Sequence, residues 1–221
     1  MAGTEIPRKL PRGTHGLHPE LVAASQRTRL LEAVGRSVAE KGYGGATIDD
    51  IVRRAGVSKK TFYEQFQDKE GCFVAAYEAA GQELWERVRE AQSDAGDWLE
   101  RTRAGIVAYL RWLAADPSLA RAFLIEVAAA GPRAAECRER VRDRYAELMR
   151  ECQGDARAEI PSLPSLPDEI FHAVVAAVDD IVVRRIREEG AEELPELEPV
   201  LLYLQLALLA GPQAAAASTR V

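Results

Sequence analysis

An all-α chain of about nine helices is the fold that two features of the sequence predict. Ala, Leu, Arg and Glu dominate its 221 residues, and aromatic residues make up only 6%. That mixture favours helices over sheets. Apolar residues also recur at i, i+3, i+4 and i+7, in segments preceded by Asp, Ser or Thr and followed by Gly or Pro. Those are the start and stop marks of amphipathic helices. Charged residues at 29% and apolar residues at 47% are ordinary for a globular chain. No apolar run approaches the roughly 18 residues a membrane span needs, and no apolar segment of a secretory signal opens the chain.

Residues 1–19 are rich in Pro, Gly and basic residues and lack helical periodicity, so they read as a flexible basic arm. Arg8, Lys9 and Arg12 either add phosphate or minor-groove contacts or belong to a solubilising tail. Helix 1 starts at Pro19 or Ser25 and ends at Lys41 before Gly42, with Leu30 or Leu31, Val34 and Val38 as its buried stripe. Arg27 and Arg29 lie near its start, within reach of a phosphate. Arg36 is expected to carry its charge outward along an apolar surface, and Tyr43 to pack on the helices that follow.

The stretch from Thr47 to Lys69, T-I-D-D-I-V-R-R-A-G-V-S-K-K-T-F-Y-E-Q-F-Q-D-K, reads as a helix-turn-helix, with the motif over about 46–65. Thr47 caps its first helix. Ile48, Ile51, Val52 and Ala55 form one apolar face. Asp49 and Asp50 suit the positive end of the helix dipole, and Arg53 and Arg54 the negative end. Gly56 stops the helix, Val57 plugs the turn and Ser58 caps the second helix, Lys59 to about Phe66. At about 100° per residue, Lys59, Lys60 and Tyr63 share an arc away from Phe62, with Thr61 and Gln65 nearby. Two cations, a phenol and a hydroxyl at a helix N-terminus fit a phosphate-lined groove.

The same stretch, with L-L-E-A-V-G-R-S-V-A-E-K-G-Y-G-G-A before it, resembles the DNA-binding motif of TetR-type bacterial transcriptional regulators over roughly residues 25–72. The resemblance implies that Arg27, Thr47, Ser58, Lys59, Lys60, Thr61, Tyr63, Gln65 and Lys69 meet DNA, with Lys69 on a phosphate. Gln65, where the family often has His, and the acidic Glu64 depart from its pattern and leave the base preference open. Residues 20–67 are then an N-terminal three-helix DNA-binding domain, and 68–221 a helical ligand-binding and dimerisation domain.

In that second part, Asp68 caps helix 4, which runs to about Ala91 with Phe73, Tyr77, Leu84, Trp85 and Val88 inward and Cys72 as a packing residue. Helix 5 spans about Asp97 to Ala115. Helix 6 starts at Asp116-Pro117, carries Leu119, Phe123, Leu124 and Val127, and stops at Gly131-Pro132. Helix 7 covers about Arg133 to Cys152, and the proline-rich segment from Gly154 to Pro167 is expected to be irregular, with a short extra turn over Asp155 to Glu159. Helix 8 covers about Asp168 to Glu189, and helix 9 about Glu196 to Ala210.

Helices 8 and 9 are more apolar than one buried face requires, which calls for burial on most sides. They form either the core of a monomer or, as the family layout favours, a symmetric dimer in which the two helices pair with their mates. The dimer contact is expected at Val174, Val178, Ile181, Val182, Leu201, Leu204 and Leu208. The family's ligand site between helices 4 and 8 implies a small apolar effector, with Trp85, Tyr109, Trp112, Phe123, Tyr145, Phe171 and His172 as its candidate contacts.

Charge divides the chain in the same place. Residues 1–70 hold 12 Lys and Arg against 9 Asp and Glu, a net of +3, and residues 71–221 hold 17 against 26, a net of −9. A basic head on an acidic body suits contact with double-stranded DNA at one end. The three cysteines form no C-x-x-C pair, which points to a reduced, cytoplasmic setting. No nucleophile–base set, metal-ligand spacing or phosphate loop is present, so neither an enzyme nor a metal or cofactor is expected. The reading is therefore a repressor released from a palindromic operator by a small molecule. The alternative is a relative whose body takes a protein partner.

Overall fold

The computed structural model describes residues 19–218, so the basic arm of residues 1–18 lies outside the described residues. All regular structure among them is helical: α1 (Pro19–Gly45), α2 (Ile48–Ala55), α3 (Lys59–Gln65), α4 (Lys69–Ser93), α5 (Trp98–Ala115), α6 (Pro117–Leu124), α7 (Pro132–Glu159), α8 (Asp168–Glu188), α9 (Glu198–Leu209) and α10 (Pro212–Ser218). Two 3₁₀ segments, Glu126–Ala129 and Ala191–Leu197, precede α7 and α9. No helix among the described residues is long and apolar enough to cross a membrane.

Local chemistry sets most of the first six helices. Thr47, Ser58, Asp68, Asp97 and Asp116 each accept a backbone N–H of the first turn that follows. At Thr47 the cap is reciprocal, because the Thr47 N–H donates back to the Asp50 carboxylate at 3.1 Å. Gly42 breaks the regular helix of α1 at φ 72, and Gly56 ends α2 at φ 65, both in the left-handed region.

One apolar core joins Leu30, Val34, Val38, Ile51, Phe62 and Phe66 to Phe73, and then continues without interruption to Phe123, Val127, Ala134 and Cys137. The first three helices are thus seated on α4, α6 and α7. At Gly35, α1 approaches α6 so closely that a Cβ would lie 2.9 Å from Leu119 Cδ2. Polar ties fix the seat. Arg36 reaches Asp116 with both terminal nitrogens at 2.7 and 2.6 Å, so its charge is anchored on α6. The Tyr43 N–H donates to Glu126 at 3.0 Å. Arg133 binds Glu70 and Asp68 at the start of α4.

Three boundaries differ from the sequence reading. The sixth helix stops at Leu124 and gives way to the 3₁₀ segment before Gly131. The seventh runs on through Gly154 to Glu159. A helical Gly costs only about 1 kcal/mol, and the extra turn is held by Ala156, which is buried, by Arg101 on Glu159, and by Gln153 donating to Pro164 O at 2.8 Å. The approach to α9 is a 3₁₀ segment because Ala191, Leu194 and Leu197 bury every third residue. Helix α10 was not expected; it packs on α9, with Ala215 fully buried.

Candidate nucleic-acid interface and apolar cavity

The face expected on the second helix of the motif is present on α3. Phe62 is fully buried, edge-on to Tyr63 and packed against Phe66. It thereby fixes the rotation of a seven-residue helix that could not stand alone. The side chains of Lys59 and Lys60 are 57% and 87% exposed, and Tyr63 is 57% exposed. Thr61 and Gln65 are half-buried beside them. In this state Lys59 pairs with Asp49 at 2.7 Å, a partner that the sequence reading assigned to the helix dipole alone. A solvent-exposed pair is worth at most about 1 kcal/mol, so the ammonium can exchange Asp49 for another anion. Arg27 is exposed, with its guanidinium over the Phe66 ring at 4.6 Å.

Other expected contacts are engaged within the fold. Thr47 Oγ1 accepts from Asp50 N and donates to the Asp50 carboxylate at 2.8 Å. Ser58 Oγ accepts from Thr61 N and lies 3.0 Å from Thr61 Oγ1. Lys69 Nζ donates to Tyr43 O at 2.6 Å and Ala46 O at 2.8 Å and lies over the Tyr43 ring. Burial pushes the Lys69 ammonium down from its ordinary value. Two of its three donors therefore clamp the α1–α2 junction onto α4. Arg29 is likewise turned inward, donating to Ala55 O at 2.9 Å.

Between α4, α5, α7 and α8 lies a cavity of about 120 Å³. Its wall follows α4 from Tyr77 to Gln92. At 1.5 Å per residue that is a span of roughly 22 Å, so the space is long and narrow. Of the expected ligand contacts, Tyr109, Trp112, Phe123 and Tyr145 line it. Three do not. Trp85 stands edge-on to Tyr145 from behind, under the Arg144 guanidinium. Phe171 is packed in the core with Leu84, Val88 and Met149. His172 is exposed, 3.7 Å from Asp143, because it starts the outward face of α8 one residue past the buried Phe171.

The sequence reading missed the polar part of the wall: Tyr77, Gln92, Thr102, Arg142, Asp179 and Gln205. Asp179 interrupts the apolar stripe of α8, and Arg138 and Arg142 stand one turn apart on the facing helix, a pattern visible in the sequence once α7 and α8 are known to pack. Burial pushes the Asp179 carboxyl up, against the pull of Arg142 at 3.0 Å and Arg138 at 3.5 Å. Burial also raises the Tyr77, Tyr109 and Tyr145 phenols, which therefore stay neutral. Phe123 belongs to both regions: it lines the cavity, packs on Phe73 and Tyr77, and sits in the core that seats the first three helices.

The expected dimer contacts divide. Val174, Val182 and Leu201 are fully buried within the protomer and cannot meet a mate, because α8 and α9 pack on α5 and α7 by those sides. Val178 and Ile181 are half-buried against the same core. Leu204 is half-buried and Leu208 is 39% exposed. Val200 at 49% and Tyr203 at 47%, which were not anticipated, continue the exposed apolar side of α9.

Residues 30–76 match the family described as bacterial regulatory proteins, tetR family. The HTH-type transcriptional activator FasR of Mycolicibacterium smegmatis is 31% identical over 108 residues, 49% of each chain, so the match spans about half the length of that relative. An uncharacterised HTH-type regulator of Mycobacterium bovis is 27% identical over 82% of this chain and 91% of its own. The HTH-type transcriptional repressor AcnR of Corynebacterium diphtheriae is 33% identical over 42% of this chain and 53% of its own. Among solved structures, the fatty acid degradation regulator FadR of Bacillus halodurans superposes with a TM-score of 0.73 at 21% identity, over 83% of this chain and 98% of that one. FadR of Bacillus subtilis, solved in complex with stearoyl-CoA, gives 0.68 at 19% identity over the same shares. At such identities the superpositions establish the fold. The match of residues 30–76 and the curated HTH-type relatives indicate a TetR-family transcriptional regulator.

Proposed function

We propose that the chain is a ligand-responsive cytoplasmic repressor that binds a palindromic operator as a homodimer and leaves it when a small, largely apolar effector fills the cavity. The observation that carries this reading is the α3 face, with Lys59, Lys60 and Tyr63 exposed over a locked Phe62. In helix-turn-helix proteins the second helix enters the major groove by its N-terminal residues. Lys59, Lys60, Thr61, Tyr63 and Gln65 then meet the groove, and Arg27 an adjoining phosphate. Thr47, Ser58 and Lys69 hold the residues that do so. Residues 20–67 act as the reading head and 68–221 as the sensing body, with Phe123 and the Arg36–Asp116 pair joining them.

The homodimer of this reading uses the exposed side of α9, Val200, Tyr203, Leu204 and Leu208, beside α8. It sets two α3 helices one turn of DNA apart, about 34–36 Å. The cavity favours a small effector over a protein partner for the body. An apolar ligand is in keeping with the stearoyl-CoA bound by the B. subtilis FadR of the same fold. Effector and operator are then coupled through α4 and α6, since Tyr77 and Phe123 touch the cavity and α1 rests on α6.

A mobility-shift titration against upstream DNA tests the reading. Lys59→Ala with Lys60→Ala should weaken binding and reduce the salt slope by about 2, close to 0.9 for each phosphate left without its lysine. Asp49→Asn, which frees Lys59, should strengthen it. An unchanged affinity in the double variant would sink the assignment of this face.

A further inference from the structure

The chemistry of the cavity wall narrows what it accepts. Most of the wall is apolar, and among the described residues its two charged members, Arg142 and Asp179, pair with each other. The pair continues outward on both sides, to Glu139 from Arg142 and to Arg138 from Asp179. This chain of two guanidiniums and two carboxylates carries no net charge. An ionic ligand would therefore shed its hydration for a neutral site and compete with partners already matched. An uncharged ligand loses much less.

One polar group in the wall lacks a partner. Tyr145 Oη is buried and makes no hydrogen bond. Leaving such a group unsatisfied costs about 1–3 kcal/mol, so a ligand atom that bonds to it recovers stabilisation the protein alone forgoes. Tyr77 and Tyr109 stand in the same wall, which also holds the Arg142–Asp179 pair. All three phenols remain protonated and can donate. Gln92 and Gln205 add neutral groups to the wall.

We propose that the cavity takes an uncharged, slender, apolar molecule carrying one hydroxyl or carbonyl, and that this group meets Tyr145 Oη. The proposal rests on the reading of this cavity as the effector site and adds the chemical class of its occupant.

Three eight-carbon probes that differ only in charge test it: 1-octanol, octanoate and octylammonium. Each is titrated into the full chain by calorimetry at neutral pH, with DNA affinity measured on the same samples. 1-Octanol should bind at least tenfold more tightly than either ion. Tyr145→Phe should weaken 1-octanol about fivefold, the scale of one net hydrogen bond. The melting temperature of that variant without ligand should stay the same or rise, since the orphaned oxygen is gone. Octanoate binding as tightly as 1-octanol, no binding of 1-octanol, or an unchanged affinity in Tyr145→Phe would overturn the proposal. Tight 1-octanol binding that leaves DNA affinity untouched supports the chemistry of the cavity and overturns the effector reading instead.

Discussion

The first and last helices of this chain are held in different ways. Helices α2 to α6 each begin on a side chain that caps them: Thr47, Ser58, Asp68, Asp97 and Asp116. Helices α7, α8 and α9 begin at Gly131, Pro167 and Leu197 with no side-chain cap. The capped helices of the head are short, eight residues in α2 and seven in α3. Short helices have little packing surface, and local bonds must define their ends. Helices α7, α8 and α9 are longer and bury Leu148, Val174, Val182, Leu201 and Leu206 almost completely. Their ends follow from what they pack on. The head is therefore expected to be sensitive to single local bonds and to the aromatic anchor Phe62, and the body to the volume of its core.

The sharpest way to break this contrast is to empty one site in each region. Phe62→Ala should destabilise the protein by about 3–5 kcal/mol and melt the head first, giving a two-step urea transition by circular dichroism. Leu201→Ala should cost about 2–5 kcal/mol, but in the transition of the body. A single common transition for both variants would mean that the shared core through Phe123 makes head and body one cooperative unit.

A smaller effect isolates the local bonds. Thr47→Ala removes the hydroxyl that both accepts from Asp50 N and donates to the Asp50 carboxylate. It should cost about 1 kcal/mol in urea unfolding. Gly131 offers no side-chain cap to lose, so Gly131→Ala should act through its positive φ and through the Glu70 carboxylate, whose Oε1 would lie 2.6 Å from the added Cβ.

The smallest effect is one of pH. Hydrogen bonds from Lys41 and then Thr47 hold the Asp50 carboxyl well below the usual carboxylate range. A depressed folded-state pKa stabilises the protein above the ordinary value near 3.9, and that contribution is lost as pH falls below about 4 towards the folded value. Thermal melts of the natural chain should drop over that window. Asp50→Asn should melt lower at neutral pH and lose less on acidification. A fall equally steep in the variant would assign acid sensitivity to Asp68, whose carboxyl is also held low, first by the Gly71 N–H.

The head was legible because its signals are local. Thr47, Gly56, Ser58 and Phe62 do what their types and spacing require, and the exposed Lys59–Lys60–Tyr63 face follows from the helical repeat. The cavity was half legible. Tyr109, Trp112, Phe123 and Tyr145 are bulky residues on helices known to be buried, and they do line it. Trp85, Phe171 and His172 satisfy the same criterion and do not, because a few tens of degrees of helix rotation decide whether a ring faces a void, the core or water. The polar side of the wall escaped notice, since Asp179 looks like a surface acid until α7 brings Arg138 and Arg142 against it. The apolar run of α9 announced burial on most sides, yet not which side stays within the protomer.

The sequence by itself determined the all-α class, the helix-turn-helix and the face of α3, because caps, glycine turns and the 3.6-residue repeat act within a few residues of one another. Only the tertiary structure decided that Lys69 and Thr47 are engaged inside the fold, that Lys59 rests on Asp49, and that a neutral ion pair and an unpartnered Tyr145 hydroxyl share one cavity. Those facts depend on groups distant in sequence approaching to hydrogen-bonding distance. How helices pack sets such approaches, and the pattern along any one helix does not record them.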